Sequence, residues 1–114
     1  MSPLAILVHV PNIEEGLNWY QKAFPHAVAI YHPDSDFTVL DLNGFSIEVV
    51  QADNKVNAGK KGTVLYWSVD SVEESLVYFQ SIGATLYRGP MAIEGGLIMC
   101  QVEDPFGNLI GLRG

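Results

Sequence analysis

Along this chain the apolar residues pass from strand-like alternation to helical spacing and back, and the sequence of changes happens twice. Residues 4–10 (L-A-I-L-V-H-V) form a β-branched and aliphatic run stopped by Pro11, which predicts a strand. Asn12 then offers an N-cap, with Glu15 in the capping-box position three residues on. Ile13, Leu17, Tyr20 and Phe24 recur at helical spacing, so residues 13–24 read as an amphipathic helix stopped by Pro25. Strands are expected at 27–32 and 37–42, parted by the polar turn P-D-S-D. The hairpin signal Asn43-Gly44 leads into another strand at 45–50.

Residues 52–62 lose all periodicity and hold three of the six basic residues, so they read as a linker. The pattern then restarts. A strand is predicted at 63–69, a second capping box at Ser71 and Glu74, and a helix at 72–82 closed by Gly83. Strands at 85–87, 97–102 and 108–112 follow, with 88–96 expected to be a proline- and glycine-bearing loop. Asp104-Pro105 and Gly107-Asn108 supply the turn chemistry of a hairpin between the last two strands.

The restart is a repeat. V-P-N-I-E-E-G-L-N-W-Y-Q from Val10 matches V-D-S-V-E-E-S-L-V-Y-F-Q from Val69, with the acidic pair, leucine, aromatic pair and glutamine in register. G-F-S-I-E-V-V from Gly44 matches G-N-L-I-G-L-R from Gly107 in spacing and apolar pattern. The expected fold is α+β: two tandem βαβββ modules, about 1–51 and 63–114, whose mixed sheets curl around a cleft. At 114 residues the whole chain reads as a single domain with a sizeable core.

Composition narrows the partners. A formal net charge of −7 argues against nucleic acid or an anionic membrane, which both need basic surface. The first ten residues are apolar but too short to span a bilayer, and they lack the basic flank of a signal peptide. Cys100 is the single cysteine and has no internal disulfide partner, so a reducing, cytoplasmic setting is expected.

The duplicated pattern, the helix motif N-I-E-E-G-L-N-W-Y at Asn12 to Tyr20 and the closing E-D-P-F-G-N-L-I at Glu103 to Ile110 resemble the vicinal oxygen chelate superfamily. Its members include glyoxalase I, bleomycin-resistance proteins, extradiol dioxygenases and methylmalonyl-CoA epimerase. The resemblance implies a cleft in which the family's enzymes hold a divalent metal by His or Gln, Glu, His and Glu on the first, fourth, fifth and eighth strands. Laid on that pattern, those positions fall at Ala5, Glu48, Val64 and Gly111. Only Glu48 carries a donor, so no metal and no cofactor are expected there.

If Ala5, Glu48, Val64 and Gly111 face the cleft, strand alternation puts Leu7, His9, Ser46, Val50, Tyr66, Ser68, Leu109 and Arg113 on that face too. The wholly apolar set around Ile6, Val8, Ile47, Val49, Trp67, Ile110 and Leu112, with Leu4 and Leu65, falls on the other. Leu97, Met99, Gln101 and Glu103 join the cleft if the seventh strand keeps the same alternation. The candidate ligand-binding residues are therefore His9, Glu48, Tyr66, Met99, Gln101 and Arg113, an apolar wall with a few polar groups. Cys100 falls on the apolar face, where a buried structural thiol is expected. Trp19 and Trp67 read as core, and His26 and His32 as surface.

The leading expectation is a metal-free protein that binds a small, partly apolar organic molecule, as bleomycin-resistance proteins sequester their drug. The alternative is a superfamily enzyme of lyase, isomerase or dioxygenase type, using Glu48 and His9 as an acid–base pair or holding a metal through other residues. Members of the family commonly pair, so a homodimer is expected.

Overall fold

The computed structural model describes residues 1–114, which form two compact units, Met1–Ala58 and Gly59–Gly114. In the first, β1 (Ala5–Val10) leads to α1 (Ile13–Ala23), then to β2 (Val28–His32), β3 (Phe37–Leu42) and β4 (Phe45–Gln51). The sheet order is β1-β4-β3-β2, with β1 parallel to β4 and the other pairs antiparallel. Asn12 caps α1 as its sequence implies, its Oδ1 accepting the Glu15 N–H at 3.0 Å. Asn43 and Gly44 both take positive φ, 53° and 92°, which a tight two-residue hairpin requires.

The core of this unit lies between α1 and one sheet face. Val8, Val10, Leu40, Ile47 and Val49 are buried there with Trp19, Tyr20 and Ala23 of the helix. Gly16 lets α1 come close: a Cβ at that position would sit 2.8 Å from Val10 and 2.9 Å from Val49.

The second unit repeats the plan. It runs β5 (Tyr66–Ser68), α2 (Val72–Ser81), β6 (Thr85–Ala92), a 3-10 turn (Glu94–Gly96), β7 (Ile98–Glu103) and β8 (Leu109–Arg113). Its sheet order, β5-β8-β7-β6, is the order of the first sheet, with one parallel pair at the edge. Ser71 Oγ accepts the Glu74 N–H at 3.1 Å and caps α2. Val72 and Phe79 of the helix are buried with Cys100, Val102, Ile110 and Leu112 of the sheet. Fully burying one such aliphatic side chain contributes about 1.5–3 kcal/mol. The fold is thus α+β, two tandem βαβββ modules.

The closing hairpin is held by Asp104, which is 3% exposed. Its Oδ1 accepts the N–H groups of Phe106 at 2.8 Å and Asn108 at 2.9 Å. Proline cannot donate here, and the aspartate supplies the acceptor that the turn's backbone donors need.

Three expectations need correction. Residues 88–92 are not loop: β6 continues to Ala92 with register shifts after Leu86 and Arg88. β6 is the outer strand of its sheet, where Pro90's missing N–H removes no ladder bond and a bulge is tolerated. β5 is shorter than predicted, although Gly111 N–H to Leu65 O and Val69 N–H to Arg113 O extend its pairing by one residue at each end. Leu4, expected on the apolar face, lies before β1 and is 75% exposed.

Candidate functional site

Opposite its helix, each sheet has an open face, and the candidate residues lie on these two faces. In the second unit the register aligns Tyr66 of β5 with Gly111 of β8, and Gly111 with Gln101 of β7. The Tyr66 ring lies directly on Gly111: a Cβ there would meet ring carbons at 2.6, 2.7 and 2.8 Å. Any other residue at 111 would displace the ring. The ring's hydroxyl accepts a hydrogen bond from Gln101 Nε2 at 2.7 Å. Arg113 covers the ring, its guanidinium carbon 4.3 Å from the centroid, within cation–π range.

The next row pairs Arg113 with Met99 and Met99 with Met91 of β6. Met99 is only 7% exposed, so it forms the floor of the face. It is an inner position of β7, flanked by strands on both sides. At the end of the face Glu103 is held by Lys60, with Nζ to Oε2 3.1 Å. Tyr66, Gln101 and Arg113 are therefore brought together in one contiguous group, with Met99 beside it.

In the first unit Glu48 pairs in register with Leu7, Ser46 with Ala5, and Val50 with His9. Leu7 is 52% exposed, and Val28 and Ile30 of β2 are also exposed. The alternation of β2 and β3 puts Val28 and Ile30 on the same open face as Leu7 and Glu48. Glu48 is half-buried and makes no hydrogen bond or ion pair. His9 lies close to Asp53, whose carboxyl is held below its usual value chiefly by the Val56 and Lys55 N–H groups and also by His9. His9 and Glu48 thus share a face without being partners.

Sequence reasoning missed Arg88 and Met91, because both fall in the stretch read as a loop. Arg88 is the register partner of Gln101, and Met91 of Met99. An edge-strand proline was the only available signal. Cys100 is fully buried on the helix side, and desolvation pushes its thiol above the usual range. His26 and His32 are exposed, and Trp19 is core, as expected.

Of the four positions that the sequence resemblance would give to a metal, only Glu48 has a donor side chain. Ala5, Val64 and Gly111 carry no donor, and the space above Gly111 is filled by the Tyr66 ring. Within neither unit do three or more His, Cys, Asp or Glu side chains gather closely enough to hold an ion.

Among solved structures, the chain resembles a glyoxalase/bleomycin resistance protein/dioxygenase family enzyme from Burkholderia phytofirmans PsJN. The TM-score is 0.76 at 18% identity, covering 96% of this chain and 94% of that one. The fold is the glyoxalase/bleomycin-resistance fold. An integron cassette protein from the mobile metagenome of V. cholerae shares it, with TM-score 0.72, 20% identity and coverage of 99% and 94%. So does TioX from Micromonospora sp. ML1, with TM-score 0.71, 16% identity and coverage of 99% and 98%. No protein-family model matches the chain, and no curated protein matches it in sequence. At these identities the likeness fixes architecture and leaves chemistry to the side chains. No helix is long and apolar enough to cross a membrane.

Proposed function

We propose that this protein binds a small, partly apolar organic molecule without a metal ion, on the open sheet face that carries Tyr66, Gln101 and Arg113. The observation that supports it most is the seating of Tyr66 on Gly111 under Arg113, with its hydroxyl tied to Gln101. These groups take no part in the helix-side core, yet their positions are fixed by one another. A rigid aromatic with a few oriented polar groups, over an apolar floor such as Met99, is what small-molecule sites are made of. His9 and Glu48 supply polar groups on the open face of the first unit, beside exposed Leu7. The proposal includes a homodimer, and a reducing cytoplasmic setting in keeping with the buried free Cys100.

A thermal-shift panel of partly apolar aromatic and aliphatic compounds, run in chelator on the native chain and Tyr66→Ala, tests it. Some members should stabilise the native chain and lose that effect in Tyr66→Ala. A panel with no stabilising member, or stoichiometric metal in the purified protein by elemental analysis, would contradict it.

One observation favours a second reading as an enzyme: Glu48 is a half-buried carboxylate without a partner, on the same face as His9. A carboxylate left unpaired is available for proton transfer. Unchanged turnover of a discovered substrate by Glu48→Gln would remove it from any mechanism.

A further inference from the structure

Resting on the ligand-binding reading above, we propose that the molecule held on the second unit's open face is an organic anion, a carboxylate with an apolar body. Four features of that face point to the charge. First, Gln101 Nε2 donates to the Tyr66 hydroxyl oxygen, which leaves the hydroxyl's own proton to donate outward. Second, Arg113 stacks on the ring and makes no ion pair, so its N–H donors remain uncommitted. Third, the chain's only other arginine, Arg88, stands opposite Gln101 in the register and also has no ion pair. Fourth, the carboxylate of this face, Glu103, is occupied by Lys60.

A chain with a net charge of −7 thus gathers both its arginines on one sheet face and neutralises the acid beside them. Arginine offers a planar fork of donors matched to a carboxylate, and its stacking on Tyr66 fixes the plane of that fork. A carboxylate taken by Arg113 and the Tyr66 hydroxyl would leave the apolar body over Met99 and Met91. An ammonium group would meet the like charge of Arg113 and Arg88. A neutral amide would lose the charge-assisted bond.

Calorimetric titration with three matched probes tests this: 2-naphthoate, 2-naphthamide and 2-naphthylmethylamine. The carboxylate should bind the native chain at least about tenfold more tightly than the amide, as a hydrogen bond to a charged group implies. Added salt should weaken it, and the amine should bind least. Arg113→Gln should abolish the carboxylate's advantage. Arg113→Lys should keep part of it, which serves as the check if the glutamine variant folds poorly. Equal or tighter binding of the amide or amine overturns the anion assignment while leaving ligand binding intact. So does an advantage that survives in Arg113→Gln. If none of the three binds, the anion assignment is overturned. The reading beneath it falls only if the wider panel fails too.

Discussion

At residue 111 the missing side chain makes room for an aromatic ring. Glycine there admits the Tyr66 ring; a carboxylate side chain there would collide with it. Gly111→Ala should destabilise the protein by about 1–3 kcal/mol, the usual penalty for overpacking a close contact. It should also break the 2.7 Å bond between Tyr66 and Gln101, detectable as a change in tyrosine ultraviolet absorbance. Gly111→Glu should gain no zinc in equilibrium dialysis, because one added carboxylate still leaves Ala5 and Val64, two of the four positions the sequence resemblance implies, without donors. Cys100 behaves oppositely, as a side chain sealed off from chemistry. Burial raises its pKa, so its neutral form is favoured by folding, and the stability involved is complete below the ordinary thiol range and is lost as pH rises from that range through the raised folded-state value. A thiol reagent at neutral pH should leave Cys100 unlabelled in the native protein and label it in denaturant. Rapid labelling of the folded chain would show the helix-side core to be open.

The helices and hairpins were the most legible elements, for local reasons. Capping residues, helical spacing and the Asn43-Gly44 turn act within a few residues, so the sequence displays their causes directly. The reach of β6 was not legible, because whether Pro90 ends a strand depends on where that strand lies in its sheet. Of the site, strand parity sorted Tyr66, Gln101, Glu103 and Arg113 onto one face, since alternation is a local property. The stacking of Tyr66 on Gly111 joins residues 45 positions apart, and only the β5–β8 register reveals it. At α1, Gly16 is tested by Gly16→Ala. Helix propensity favours alanine by about 1 kcal/mol. The collision with Val10 and Val49 costs roughly 1–3 kcal/mol, so the balance should be a lower melting temperature. In the closing hairpin, Asp104→Ala leaves two half-buried backbone N–H groups without their acceptor and should cost about 1–3 kcal/mol in denaturant unfolding. A change below about 0.5 kcal/mol would mean that water replaces the carboxylate.

In the molecule as a whole, two modules of one plan differ in what their open faces carry. The first keeps an unpartnered carboxylate, Glu48, next to exposed apolar side chains. The second carries an aromatic and arginine group over methionine. Proposed pairing into a homodimer is open to light scattering at micromolar concentration, where a monomer would contradict it. The ligand claim is tested most directly by side-chain NMR during titration with the best stabilising compound, in chelator. The Gln101 side-chain amide and the Met91 and Met99 methyl signals should shift saturably. The methyls of Ile110 and Leu112, on the helix side, should stay still. Saturable shifts confined to the helix-side methyls, or none at any reporter, would contradict binding at Tyr66.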